Sequence, residues 1–401
     1  MSGQSEVRSQ RIYLDHNATT PLSVRVQQSI QNNIENWGNP SSIHIDSRGP
    51  KTILRETRKL FAEIFQCSPL ELIFNSGASE GNNTILKSVW SKYQMEKNEY
   101  IISAIEHPSV VKSAQYLETL GAVIHWIPVD KKGRLDLSFV QHKISNKTAL
   151  ISCMFANNET GTLLPIRELS QIAQQNQVLF HVDCVQALGK EVLSLADLKI
   201  DYATFSAHKF YALKGCGVLF VRKGSPYTNL IHGGGQERGR RGGTENILSI
   251  ASLLAALQGY SELAEKKKNM TVLRDQMESE ILKTIPLAEV TAGLSPRLAN
   301  TSSLVIPGVD GETLLMSLDL KGFSVSTGAA CSSGNPEPSP VLLAIGLSRQ
   351  EAQNSLRVSL GWGTTAEEIQ TFVQTLAEVV QRIREANNFF IPNSSSENKV
   401  V

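Results

Sequence analysis

Between residues 50 and 250 the chain repeats one pattern. A short run of apolar, β-branched residues closed by turn formers is followed by a longer stretch whose apolar residues recur at helical spacing. The short runs lack the apolar/polar alternation of a half-exposed sheet, so they call for a sheet covered on both faces. The pattern predicts parallel βαβ units, with strands at 72–75, 100–104, 123–127, 149–155, 178–182, 202–206 and 217–221, and helices at 79–93, 109–120 and 166–175. After Asn246 it gives way to one long helical stretch, 250–283, which reads as a bridge. Beyond it lies a smaller α+β unit with strands at 301–306 and 355–360 and a helix at 366–386. The closing NSSSENKVV is poor in core formers and is expected to be a disordered tail.

Composition narrows the function. With 41% apolar residues and 19% charged residues in 401, the chain can bury a large core and is not a self-repelling disordered polymer. Lys plus Arg number 39 against 38 Asp plus Glu, so the net charge of +1 provides no field for nucleic acid or an anionic membrane. The five cysteines at 67, 153, 184, 216 and 331 are odd in number and widely spread, without a CxxC pair or a metal-like spacing. A reducing compartment is expected. MSGQSEVRSQ has neither the apolar core of a secretory signal nor the Arg-rich pattern of a presequence, so the chain reads as cytoplasmic.

Chemistry gathers where predicted strands end, the place where open α/β sheets bind ligands. The strand at 202–206 runs into Ser206, His208 and Lys209 in FSAHKFYALKG. A partly desolvated lysine there has a lowered pKa and can form a Schiff base with an aldehyde; otherwise Lys209 is a surface residue. The strand at 178–182 delivers Asp183 and Gln186 in HVDCVQALGK, where Asp183 is either a partner for a protonated ring nitrogen or a helix cap. Asn157, Asn158 and Glu159 follow a third strand, and at least two of them fit turn roles.

NSGASEGN places Ala78 and Ser79 at a small-residue turn opening a helix, a weak anion-site signal. HGGGQERGRRGGTEN is a second glycine-rich turn. His107 in IEHPS can stack on an aromatic ligand and move protons, or be a hydrogen-bonded loop histidine. Arg357 in SLRVSLG can grip a carboxylate in bidentate fashion or form a structural ion pair. Cys331 in STGAACSSGNPEPSP stands apart from the other four cysteines, because its Ser/Gly/Pro-rich surroundings read as a flexible loop where a thiol is chemically available.

Taken in order, YLDHNATTP, GNPSSIH, NSGASEGNN, EHPSV, NNETGT, HVDCVQ, SAHK, HGGGQERGRRGGT, STGAACSSG and LRVSLG resemble the cysteine desulfurases. These are pyridoxal-phosphate enzymes of the fold-type I aminotransferase superfamily, and the likeness is greatest to the branch used in iron-sulfur assembly and nitrogen fixation. The resemblance implies an α/β homodimer. Each subunit would have a large domain (15–260) around a mostly parallel seven-stranded sheet, a small α+β domain (1–14 and 261–388), and a tail from 389 to 401. It implies pyridoxal 5'-phosphate bound through Lys209, with Asp183 at the ring nitrogen, Gln186 and Asn158 near the ring hydroxyl, and His107 stacked on the ring. Ser206, His208, Ala78 and Ser79 would hold the phosphate, with Thr244 reaching in from the other subunit.

Arg357, beside Asn158, would take the carboxylate of L-cysteine. Lys209 would move the α-proton, His107 would handle a proton at the thiol stage, and Cys331 would become a persulfide for a sulfur acceptor such as an iron-sulfur scaffold. No metal, nucleic acid or membrane is implied. Ser79 stands where the family often has threonine, and YALKG replaces a frequent YGPKG. A lyase or hydrolase keeping the cofactor, such as a selenocysteine lyase, cystine lyase or kynureninase-like enzyme, is the competing enzyme reading. A scaffold that retained the fold without catalysis is the other.

Overall fold

The computed structural model describes residues 11–327 and 337–389. Its strands are β1 (Ile12–Tyr13), β2 (Leu72–Asn75), β3 (Glu99–Ser103), β4 (Val123–Ile127), β5 (Thr148–Met154), β6 (Leu179–Asp183), β7 (Tyr202–Ser206), β8 (Gly217–Val221), β9 (Glu289–Val290), β10 (Thr301–Val305), β11 (Phe323–Ser324) and β12 (Ser355–Ser359). Seven of them form one sheet in the order β2-β8-β7-β6-β5-β3-β4. Only β8 runs against its neighbours; the rest of the sheet is parallel. Every residue of β2, β5, β7 and β8 is buried, as unalternating apolar runs require when helices cover both faces. The chain is thus an α/β protein of the expected class, and the seven strands fall where the apolar runs place them.

One apolar core lies on each face of this sheet. The first includes Phe61, Phe65, Phe205 and Phe210, and the second Tyr100, Ile102, Val110 and Leu150. A separate core collects Leu14 with residues from Met277 to Ile383, so the first strand of the chain packs with its last third. There β1 pairs in parallel with β11, while β9, β10 and β12 form an antiparallel sheet.

The expected single helix at 250–283 is two helices, Ile247–Leu257 and Leu263–Thr284, separated by a tight turn at Tyr260–Glu262. Gly259 sits at the break, where an added Cβ would come within 2.5 Å of the Arg25 guanidinium. The apolar spacing continues through the break, which is why periodicity alone joins the two. By composition the stretch Ile247–Thr284 contains a window apolar enough to cross a membrane, but 61% of that window is buried in the fold.

The register fixes the site. Met154 lies opposite Asp183 across β5 and β6, and Asp183 opposite Thr204 across β6 and β7, so three strands end at one edge. Gly217 of β8 lies opposite both Ser206 and Asn75. It is packed so closely that a Cβ would meet Asn75 Oδ1 at 2.4 Å, Gly77 Cα at 2.6 Å and the Phe205 carbonyl at 2.7 Å. Backbone atoms on two sides leave no room to yield. Replacing Gly217 by alanine is therefore expected to destabilise the protein by about 1–3 kcal/mol and to part the Gly77 turn from Ser206. A lowered urea midpoint, read beside weaker binding of a phosphate-bearing ligand, checks this.

Candidate active site

The carboxyl edge of the sheet borders a cavity of about 530 Å³. Its wall contains His107, Asn158, Asp183, Gln186, Ser206, His208, Lys209, Ala78, Ser79 and Arg357, which the sequence places 279 residues apart at the extremes. Thr244 is not among them. It lines an adjoining cavity of about 250 Å³, and Ser76 and Gly215 border both spaces. Cys331 lies outside the described residues, as do residues 390–401 of the expected tail.

Lys209 follows β7 on a short helical turn, and its Nζ donates to the backbone carbonyls of Asn17 (2.5 Å) and Ala18 (2.6 Å). Burial lowers its pKa to about 8; Arg357 pushes in the same direction, and Asp15 and Asp183 oppose. Asp183 ends β6, where Oδ2 accepts from Asn82 Nδ2 at 2.8 Å and Oδ1 accepts from the Val185 N–H at 3.0 Å. It therefore closes the turn after β6, where no helix follows for it to cap, and it also borders the cavity.

Opposite lies the start of the helix Ala78–Tyr93. Gly77, at φ 149°, precedes it and no side chain caps it, which leaves the first N–H groups of the helix directed at the cavity. Ser206 Oγ stands beside this turn, 3.7 Å from where a Cβ on Gly77 would be. Arg241 braces the turn by binding Glu80 through Nε (2.9 Å) and Nη2 (3.1 Å), while Glu80 also accepts the Ser76 N–H. Gly81 lets the helix close on β7, since a Cβ there would meet Thr204 Cγ2 at 2.7 Å. His208 Nδ1 lies 3.1 Å from the Thr19 hydroxyl, and burial together with Lys209 and Lys214 lowers its pKa to about 4. It enters the site as a neutral ring.

Arg357 forms the structural ion pair that was one of the two readings offered for it. Nη2 binds Asp15 at 2.8 Å and Nη1 donates to the Asn158 carbonyl at 3.2 Å, yet the side chain lines the cavity and its buried Nε has no partner among the described residues. Asn157 is a turn residue, with Oδ1 accepting from the N–H groups of Glu159 and Thr160. Glu159 accepts from Ser339 Oγ at 2.5 Å, and burial raises its pKa to about 7.

Three residues missing from the sequence reading organise the rest. Asn17 Oδ1 accepts from Lys190 Nζ (2.7 Å) and Asn300 Nδ2 (3.1 Å), and its Nδ2 donates to the Asn158 carbonyl (3.0 Å) and Thr301 Oγ1 (2.8 Å). Lys190 also donates to Gln186 Oε1, which turns the Gln186 amide nitrogen away from it, toward the Asn17 carbonyl at 3.1 Å. Full burial holds the Lys190 pKa well below the ordinary range. Asn82, entirely buried, supports Asp183. HVDCVQALGK does contain a signal for Lys190, because a residue four after Gln186 shares its helical face; the amides of Asn17 and Asn82 have none.

Chemically, the cavity offers in Lys209 a buried amine of lowered pKa, the Asp183 carboxylate, an anion cradle of N–H and hydroxyl donors, and a guanidinium. Residues 12–372 match the family model Aminotransferase class-V. A cysteine desulfurase IscS of Dictyoglomus turgidum is 39% identical over 375 residues, covering 93% of this chain and 95% of that protein. A solved NifS-like protein superposes with a TM-score of 0.87 at 36% identity, over 93% of this chain and all of its own. The solved structure of SspA in complex with cysteine gives a TM-score of 0.77 at 31% identity, over 87% of this chain and 98% of that one.

The pKa of Lys209 carries a prediction. In the cofactor-free protein, a small acylating reagent should modify Lys209 with a midpoint near pH 8, while exposed lysines follow their ordinary pKa of about 10.4. Peptide mass spectrometry across a pH series reads this directly.

Proposed function

This chain belongs to the class-V aminotransferase family, and from that premise we propose that it is a cysteine desulfurase, converting L-cysteine to L-alanine and leaving a persulfide on Cys331. The observation that carries the reading is the meeting of Lys209, Asp183 and the uncapped helix turn at Gly77 around a single cavity. Those residues fit pyridoxal 5'-phosphate. The amine suits its aldehyde, the N–H and hydroxyl donors at Ala78, Ser79 and Ser206 suit its phosphate, and the Asp183 carboxylate suits a protonated ring nitrogen. When bound, the cofactor supplies an electron sink for negative charge developing at the substrate α-carbon.

The protein's own groups divide the remaining work. Lys209, with a pKa of about 8, holds the cofactor and then takes the α-proton at Nζ, because an amine poised near neutrality both accepts and returns a proton. Gln186 and Asn158 would lie at the ring-hydroxyl side, Gln186 with its amide fixed by Lys190 at Oε1 and by the Asn17 carbonyl at Nε2. Arg357, tethered by Asp15, receives the substrate carboxylate on its free N–H groups. His107, which lines the cavity, would pack on the ring. Cys331 attacks the substrate sulfur as a thiolate; the substrate C–S bond breaks, a proton replaces sulfur on the carbon, and Cys331 keeps the sulfur as a persulfide.

The family's homodimer accounts for Thr244, which lies outside this cavity and would serve the partner's cofactor phosphate. The persulfide is destined for a sulfur acceptor, and an iron-sulfur scaffold is the acceptor the family resemblance favours. The four described cysteines are all free thiols, which supports work in the reducing cytoplasm.

Alanine released from L-cysteine by the cofactor-loaded protein tests the proposal. The wild type should produce it, Cys331→Ser should keep its cofactor and lose at least about 100-fold in rate, and Lys209→Ala should lose the visible absorbance of the lysine-bound cofactor. Full alanine production by Cys331→Ser would favour an eliminating lyase instead.

A further inference from the structure

His107 precedes the helix Pro108–Thr119 and caps it with its own ring, Nδ1 accepting the Ser109 backbone N–H at 3.1 Å. The Ser109 hydroxyl lies 2.8 Å from the same nitrogen. On its other side that hydroxyl receives Asn82 Nδ2 at 2.9 Å, and Asn82 Nδ2 also donates to Asp183 Oδ2 at 2.8 Å. Asn82 Oδ1 accepts the Thr204 hydroxyl at 2.6 Å.

Each role in this chain is forced. Turning the Asn82 amide round would set its oxygen against a carboxylate inside a dry core, where Asn82 and Thr204 have no exposed surface. With both Asn82 protons committed, Ser109 Oγ accepts from Asn82 and its single proton goes to His107. A backbone N–H can only donate, so Nδ1 receives hydrogen bonds from two donors and keeps its lone pair.

We propose that Asp183, acting through Asn82 and Ser109 as positioning residues, holds His107 as the Nε2–H tautomer, so that the ring enters the cavity as a hydrogen-bond donor with its lone pair turned away from the substrate. Nε2 has no partner among the described residues, and the ring lines the cavity. The ligand it suits there is an acceptor, an anionic sulfur or oxygen of the bound amino acid or cofactor. Protonation of the ring at Nδ1 would require the Ser109 hydroxyl to turn from donor to acceptor and the Ser109 N–H to lose its acceptor, which disfavours the imidazolium. On this proposal His107 acts as a hydrogen-bond donor in place of the proton carrier expected from sequence, and proton traffic falls to Lys209. Burial, with Lys209 adding and Asp183 opposing, also lowers the ring's pKa, in keeping with a neutral imidazole.

The consequence rests on the desulfurase reading, but the test does not. Ring-nitrogen NMR of the full-length, cofactor-loaded protein labelled with ¹⁵N-histidine, at pH 7.5, with His107→Gln used to assign the signal among eight histidines, should show a pyrrole-type Nε2 and a pyridine-type Nδ1. The excess should be roughly tenfold, as expected for one to two net hydrogen bonds. An Nδ1–H ring, or a doubly protonated one, would overturn the proposal. In Asn82→Leu, the freed Ser109 hydroxyl can accept instead of donate, and the Nδ1–H share should rise several-fold; an unchanged ratio would remove Asp183 and Asn82 from the account. A protein that makes no alanine yet shows the Nε2–H ring would refute the desulfurase reading and leave this one standing.

Discussion

Every polar atom of Asn17 is hydrogen-bonded, and the catalytic edge depends on that saturation. Its N–H reaches Ser359, its carbonyl receives Lys209 and Gln186, its side-chain oxygen receives Lys190 and Asn300, and its side-chain nitrogen reaches Asn158 and Thr301. Three of these partners come from the last third of the chain and four from the sheet edge. A buried amide that lost one partner would leave an unsatisfied donor or acceptor, at a cost of about 1–3 kcal/mol. Asn17 thus sets where the large sheet, the small antiparallel sheet and the Lys209 amine stand relative to one another.

The electrostatic design around that point is one of restraint. Lys209, Lys190 and Arg357 converge, and no carboxylate is within salt-bridge distance of either lysine among the described residues. Carbonyls and amides hold the two amines instead. Such neutral acceptors position an amine without fixing its charge, so desolvation is free to lower both lysine pKa values. Only Arg357 is given a carboxylate, Asp15, and its buried Nε has no partner among the described residues.

Much of this was legible in the residues. The seven strands show as β-branched runs because both faces of the sheet are covered, and Asp183, Lys209 and Ser206, which line the cavity, stand out because open sheets place ligands at strand ends. The turn role of Asn157 and the ion pair of Arg357 are also among the roles those residue types suggest. Asn17, Lys190 and Asn82 were not found, for a physical reason: their contribution is a set of hydrogen bonds to distant backbone and amides, which leaves no periodicity and no reactive group in the local sequence. The break at Gly259 escaped for the complementary reason, since the apolar spacing runs through it undisturbed.

The bond from Asn17 to Ser359 spans 342 residues, nearly the whole polypeptide. Translation at about 5–20 residues per second places some twenty seconds to a minute between the emergence of its two ends. During that interval the main sheet, whose last strand ends at Val221, has all its strands, while Leu14 and the apolar residues that later enclose it lack partners. A nascent chain therefore passes through a stage with a finished sheet and an unassembled catalytic edge. Cofactor capture belongs to the end of biosynthesis, and the exposed first strand is the surface that aggregation and chaperones compete for until then.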